Sequence, residues 1–251
     1  MPATANAPLR VLIAEAEHGL YAELLRQQAP ELELCSSDQP AELAEYAASC
    51  PLWLGQPDLL APLLRKGSRP QWLQSTWAGI TPLLAKDLPT DYALTRAVGI
   101  FGQVMAAYVL SHLLAHERQL FAALASQVEQ RWDNRLPRSL AGRKVLIVGT
   151  GDIGLSVAQF LEPFGIELLG IASRPRNLPP FRQVAGLDEL PSLVGEADYL
   201  INLLPDTPST RDIYDAALFA ACKPSALFLN AGRGVAVVDQ ALVSALEQGQ
   251  L

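Results

Sequence analysis

Cysteine is scarce in this chain of 251 residues: Cys35, Cys50 and Cys222 are all there are, and none stands in a CxxC pair. That usage suggests neither a disulfide framework nor a cysteine zinc site, and leaves each thiol as a small buried or half-buried apolar residue. Basic charge is in deficit, with 19 Lys and Arg against 26 Asp and Glu for a net of −7, which argues against nucleic acid as a partner. No uninterrupted apolar run reaches the ~18 residues of a membrane-spanning helix, so no membrane partner is expected. Met1 to Pro8 lacks the basic and apolar regions of a signal peptide, and the expectation is a soluble cytoplasmic protein. Histidine is rare as well: only His18, His112 and His116 occur. The last two stand at i and i+4 on one helix face, a spacing that can hold a metal. There is no HExxH and no third ligand nearby in sequence, so no metal site is expected.

What the chain has in quantity is apolar residues, 50% of the total, enough for one large core or two medium ones, and two are expected at this length. The most informative stretch is Lys144-Val145-Leu146-Ile147-Val148-Gly149-Thr150-Gly151-Asp152-Ile153-Gly154. A β-branched and leucine run of strand length ends in GxGxxG, and apolar residues at Ile153, Val157, Phe160, Leu161 and Phe164 then repeat with helical spacing. A second strand over 167–172 completes a βαβ unit. In such a unit Gly149 permits the turn, Gly151 lets the backbone approach a pyrophosphate, and Gly154 lets the helix pack close on its strand. The helix N-terminus offers free N–H groups and the positive end of its dipole to the phosphates.

The end of the second strand bears on which dinucleotide is bound. An NAD site places an Asp or Glu there for the ribose 2′-hydroxyl, but this chain reads Gly170-Ile171-Ala172-Ser173-Arg174-Pro175-Arg176. No acid repels a 2′-phosphate, and Arg174 and Arg176 can bind one by charge-assisted hydrogen bonds supported by the Ser173 hydroxyl. NADP (as NADPH) is therefore expected in preference to NAD. The alternative, that both arginines are ordinary solvated loop charges, leaves NAD possible.

Before this unit, strand patterns at 9–14, 31–34, 52–54, 71–74 and 92–94 alternate with helical patterns through Leu20 to Leu25 and at 41–48, 59–64 and 80–84. Strands alternating with helices at this pitch mean a parallel sheet covered on both faces. Gly99-Ile100-Phe101-Gly102 reads as a joint between domains, and Met105, Val109, Leu113, Leu120, Leu124 and Val128 trace one long amphipathic helix ending near Trp132. Two further strands, 198–203 and 226–230, run into Leu204-Pro205-Asp206-Thr207-Pro208 and Ala231-Gly232-Arg233-Gly234, at the strand ends where a doubly wound sheet collects its ligands. Arg233 is the candidate for chemistry at the nicotinamide end. The other reading is a salt bridge to some carboxylate.

Taken together, these segments resemble the D-isomer-specific 2-hydroxyacid dehydrogenases, and most closely their glyoxylate and hydroxypyruvate reductase branch, from Trp72 onward. The motifs are Trp72 to Ile80 (WLQSTWAGI), Phe101 to Leu110 (FGQVMAAYVL), Gly149 to Gly154 (GTGDIG), Leu204 to Pro208 (LPDTP) and Asn230 to Gly234 (NAGRG), in that order. A departure is Ala107, where the family commonly carries Glu. The resemblance implies two doubly wound parallel-sheet α/β domains: a flavodoxin-like substrate domain over 1–99 and a Rossmann dinucleotide-binding domain over 100–251. It implies hydride transfer between a nicotinamide and C2 of a small 2-oxo acid. The backbone of Ala78, Gly79 and Ile80 would hold the substrate carboxylate, with Trp53, Leu54 and Gly55 lining the pocket. Arg233 would bind the carboxylate and the carbonyl oxygen, stabilising the alkoxide that forms. The cofactor would meet Met105, the glycine turn with Asp152 and Ile153, Leu204, Pro205, Thr210, Ala231 and Gly232. A homodimer around the helix after Gly102 is the implied full-length form.

The family also uses a histidine steadied by a glutamate, both following the arginine motif by some tens of residues. Here the chain stops at Gly249-Gln250-Leu251. It therefore reads as the C-terminally incomplete part of a roughly 310-residue reductase, nearly inactive alone. The competing reading is a natural short form that binds NADP as a regulatory or sensor protein without turnover.

Overall fold

A computed structural model describes residues 8–136 and 138–251. Residues 1–7, most of the stretch read above for a signal peptide, lie outside the described residues. The chain divides into two compact units, the first ending at Val98 and the second covering Gly99–Leu251. Among the described residues no helix is long and apolar enough to cross a membrane.

The first unit runs β1 (Arg10–Ala14), α1 (His18–Gln28), β2 (Glu33–Ser37), α2 (Pro40–Ala47), β3 (Leu52–Gly55), α3 (Pro57–Arg65), β4 (Trp72–Ser75), a 3₁₀ turn (Thr81–Leu84) and β5 (Ala93–Arg96). All pairings are parallel, in the order β2-β1-β3-β4-β5, the doubly wound order of flavodoxin-like sheets. Proline at the first helical positions of α2 and α3 starts each helix where an N–H is dispensable. Alternate residues of β1 feed the two faces: Leu12 and Ala14 join one core cluster with Leu60, Leu64 and Leu73, while Val11 and Ile13 pack with Ala22.

The second unit runs α4 (Gly102–Glu117), α5 (Leu120–Val128), β6 (Lys144–Val148), α6 (Asp152–Leu161), β7 (Glu167–Ile171), β8 (Gln183–Ala185), α7 (Leu190–Val194), β9 (Tyr199–Asn202), α8 (Ala216–Ala221), β10 (Leu227–Asn230) and α9 (Asp239–Glu247). Its sheet is again wholly parallel, in the order β10-β9-β6-β7-β8. Counted from β6 this is the Rossmann order 3-2-1-4-5, so the strand order reverses between β6 and β9. Val145 and Ile147 pack toward α4 and α6; Leu146 and Val148 pack toward the opposite layer with Leu218 and Phe219.

The single long helix expected after Gly102 is instead two. Gln119 adopts a left-handed backbone with φ 50°, which ends α4 and turns the chain into α5. Val109 and Leu113 are buried, whereas Leu120, Leu124 and Val128 are 52%, 58% and 77% exposed, so the apolar residues do not form one stripe. Phe160 and Phe164, counted with the buried face of the helix after the glycines, are also exposed; Val157, Ala158 and Leu161, with Ile153 packed against them, carry that face into the core.

Candidate dinucleotide site and substrate loop

Because every strand of the second unit is parallel, the segments after β6, β7, β9 and β10 all emerge at one edge of the sheet. The glycine turn follows β6 at the reversal point. Gly149 has φ 108°, and a Cβ there would lie 2.9 Å from the Leu203 carbonyl carbon and oxygen. A Cβ on Gly154 would lie 2.1 Å from the Gly149 oxygen, so glycine alone lets α6 begin this close to its strand. Gly151 differs: a Cβ there meets nothing within 4 Å. Among the described residues the N–H groups of Gly151, Asp152 and Ile153 have no partner, while those of Gly149 and Thr150 both donate to the Ile171 oxygen. Free N–H groups at a helix start beside open space fit a pyrophosphate. The Asp152 carboxylate accepts from the Gly99 N–H at 3.0 Å, and Met105 is half-buried in the first turns of α4, which packs on α6.

Ser173, Arg174 and Arg176 follow β7 and are all exposed. Arg176 donates to the Thr150 carbonyl oxygen at 2.6 Å and to its Oγ1 at 3.2 Å. Arg174 makes no hydrogen bond or ion pair among the described residues. No carboxylate occurs between Ile171 and Leu187, the span where an adenosine ribose would be read.

The turn after β9 is held from within. The buried Thr210 hydroxyl donates to the Pro205 oxygen at 2.6 Å and accepts from the Thr207 N–H at 2.9 Å, so it is occupied in shaping the turn. The Leu204 N–H is likewise used, donating to Asn202 Oδ1 at 3.1 Å, whereas Pro205 is exposed. After β10, Ala231 and Gly232 are half-buried and Arg233 is exposed. Its guanidinium donates only to the Gly232 oxygen at 3.0 Å, and no carboxylate pairs with it among the described residues. The salt-bridge reading of Arg233 therefore has no counterpart here. Asn202, which the sequence reading passed over, is fully buried and bonds Asn230 across the sheet end. The available signal was an asparagine closing an otherwise apolar strand.

In the first unit, the segment after β4 is braced on three sides. Ser75 Oγ accepts from the Trp77 N–H and donates to the Trp77 oxygen, both at 3.1 Å; Thr76 bonds the buried Glu15; and Arg96 Nη1 donates to the Ala78 oxygen at 2.9 Å. The Thr76 N–H donates to the Gly55 oxygen at 3.0 Å. The N–H groups of Ala78, Gly79 and Ile80 have no partner among the described residues, as an anion-binding loop requires. Gly55 is required by contact, since a Cβ would lie 2.1 Å from the Ala14 oxygen. Trp53 is a correction. It is 1% exposed, in the core, with its indole N–H on the Cys50 oxygen at 2.9 Å, and so does not line a pocket. Alternation along β3 turns Trp53 into the helical layer, while its neighbour Leu54 is half-buried.

His112 and His116 serve α4. His112 Nδ1 lies 2.8 Å from the Tyr108 oxygen, and the His116 ring meets Tyr199 edge-on.

Comparison with known proteins bears on this arrangement. The D-isomer specific 2-hydroxyacid dehydrogenase NAD-binding domain matches residues 110–251. The chain belongs to this family. Among 2-hydroxyacid dehydrogenases, glyoxylate/hydroxypyruvate reductase A of Serratia proteamaculans is 33% identical over 181 residues, covering 69% of this chain and 58% of that protein's length. A family protein of Aeromonas salmonicida superposes with TM-score 0.91 at 33% identity, covering 98% of this chain and 79% of that one. The NADPH-dependent glyoxylate/hydroxypyruvate reductase of Sinorhizobium meliloti, solved with NADP and sulfate, superposes with TM-score 0.80 at 26% identity, covering 97% and 78%.

Proposed function

We propose that the protein is an NADPH-dependent reductase of small 2-oxo acids of the glyoxylate and hydroxypyruvate type, giving D-2-hydroxy acids. The observation that carries this reading is the end of β7: an Arg174 without a partner among the described residues and a braced Arg176 stand where an NAD site has its carboxylate, above a glycine turn whose N–H groups at 151–153 likewise have none. The Sinorhizobium relative, named as NADPH-dependent and solved with NADP, supports it. Residues 1–99 are assigned to the substrate and 100–251 to the cofactor. The unpartnered amides of Ala78, Gly79 and Ile80 hold the substrate carboxylate, with the Leu54–Gly55 segment beside them. Arg233 holds the carbonyl oxygen, its charge favouring the alkoxide as hydride arrives. A bound nicotinamide dinucleotide supplies that hydride. Proton delivery is assigned to none of His18, His112 and His116; by the family pattern it belongs to a histidine steadied by a glutamate.

A homodimer is part of the same reading. Phe121, Val128 and Trp132 are 77%, 77% and 92% exposed, apolar surface of the kind that a second copy covers. The deciding experiment is a fluorescence titration with NADPH and NADH. Tighter NADPH binding supports the reading, and equal affinities refute the cofactor assignment.

A further inference from the structure

Two asparagine side chains join the turns after β9 and β10. Asn202 Nδ2 donates to Asn230 Oδ1 at 2.9 Å. Asn202 Oδ1 accepts from the Leu204 N–H at 3.1 Å, and Asn230 Oδ1 accepts from the Gly232 N–H at 3.1 Å. Backbone donors thus fix which end of each amide is oxygen, and neither amide can flip without setting N–H against N–H. The main chain adds the Ala231 N–H donating to the Asn202 oxygen at 3.0 Å. The turns are in contact here: a Cβ on Gly232 would lie 2.8 Å from the Leu204 oxygen and 3.0 Å from Asn202 Nδ2. Asn202 is completely buried, in a position where the neighbouring strand residues are apolar. A buried amide is costly unless fully bonded, and here all its stated bonds go to the two turns rather than to the core.

We propose that Asn202 is a positioning residue: with Asn230 it clasps the Gly232–Arg233 turn to the Leu204–Pro205 turn and so sets the backbone that meets the nicotinamide half of the dinucleotide. This rests on the dinucleotide reading given above. Asn202 touches no reacting atom. Its effect passes through the placement of Gly232 and Arg233, and it should be felt by ligands that reach those turns and not by ligands confined to the adenosine end.

The test compares two probes on the wild type, Asn202→Ala, Asn230→Ala and the double variant, with thermal melts of each. NADPH spans the whole site, whereas adenosine 2′,5′-bisphosphate reaches only the glycine turn and the arginines after β7. Each single variant should weaken NADPH about tenfold, the effect of one lost buried amide bond, and leave the bisphosphate within about twofold. The double variant should be no worse than the weaker single, because both break one clasp. Unchanged NADPH affinity overturns the proposal, and so does an equal loss for both probes, which would mean general loosening. If Asn202→Ala does not fold, the exposed Asn230→Ala carries the same comparison. A wild type that binds neither probe removes the dinucleotide reading and this inference with it; a wild type that binds both, with variants unaffected, removes the inference alone.

Discussion

The Arg176 guanidinium donates to the carbonyl oxygen of Thr150 at 2.6 Å, tying the loop after β7 to the glycine turn after β6. Arg174, two residues before it, makes no hydrogen bond or ion pair among the described residues. The two arginines therefore separate into a brace and a free cation. Arg174→Ala is expected to weaken NADPH about tenfold and leave NADH unchanged, the loss of one charge-assisted contact. Arg176→Ala is expected to weaken both cofactors, because the glycine turn proposed to receive the pyrophosphate loses its support. Titration of both variants with both nucleotides checks the division, and a purely NADPH-specific loss in Arg176→Ala would refute it.

The glycines of the turn make a second separable pair. Gly154→Ala would force a Cβ to 2.1 Å from the Gly149 oxygen, so a loss of about 1–3 kcal/mol in urea unfolding is expected. Gly151→Ala meets nothing within 4 Å and should melt like the wild type, while its methyl group would fill the proposed pyrophosphate position and is expected to abolish tight binding. A Gly151→Ala protein with normal NADPH affinity would place the phosphates elsewhere.

Glu117 is buried at the other end of the strands, where β6 and β9 begin. It is bonded by Arg143 Nε at 2.7 Å, by Arg138 Nε at 3.2 Å and by the Tyr199 hydroxyl. The hydrogen bond to Glu117 holds the Arg143 guanidinium above its ordinary range, and burial, with Glu117, pushes the Tyr199 hydroxyl up. Removing one partner of a buried ion cluster leaves the others uncompensated. Glu117→Leu should lose about 3 kcal/mol by urea unfolding, toward the lower end of the range because both arginines reach solvent. NADPH affinity of the folded protein should be unchanged, and a concurrent loss of binding would show that the cluster is coupled to the glycine turn.

Asp198 makes stability depend on acid. Burial alone would raise its carboxyl, but the Lys144 N–H at 2.8 Å and the Lys223 ammonium at 2.9 Å outweigh burial and hold it below the ordinary value. A depressed folded pKa contributes stability above the unfolded value of about 3.9 and loses it as pH falls through the folded one. The melting temperature should therefore drop as pH falls below about 4. Asp198→Asn should lower the neutral-pH melting temperature and flatten that drop; an equally steep drop in the variant would assign the acid sensitivity to other carboxylates.

Much of this was open to reading from local pattern. Apolar runs closed by Gly55, Gly149 or Asn230 are strands because β-branched and leucine residues suit a sheet buried on both faces, and their spacing left room only for parallel crossovers. The turn role of Gly149, the packing role of Gly154 and the missing acid after β7 were likewise visible, since each depends on residue type at fixed offsets. Less visible was β8, three residues long and too short for any periodicity. The break at Gln119 was hidden because nothing in its side chain demands a left-handed turn, and the apolar spacing of Leu120, Leu124 and Val128 continues past it.

The sequence by itself determined the alternation of strands and helices, the dinucleotide turn and the candidate charges, because these follow from side-chain chemistry over a few neighbours. Only the tertiary structure decided that Trp53 belongs to the core, that Arg176 rather than Arg174 braces the glycine turn, and that Asn202 joins two turns. Each of those depends on which strand lies beside which, and that is set by the packing of residues far apart in the chain.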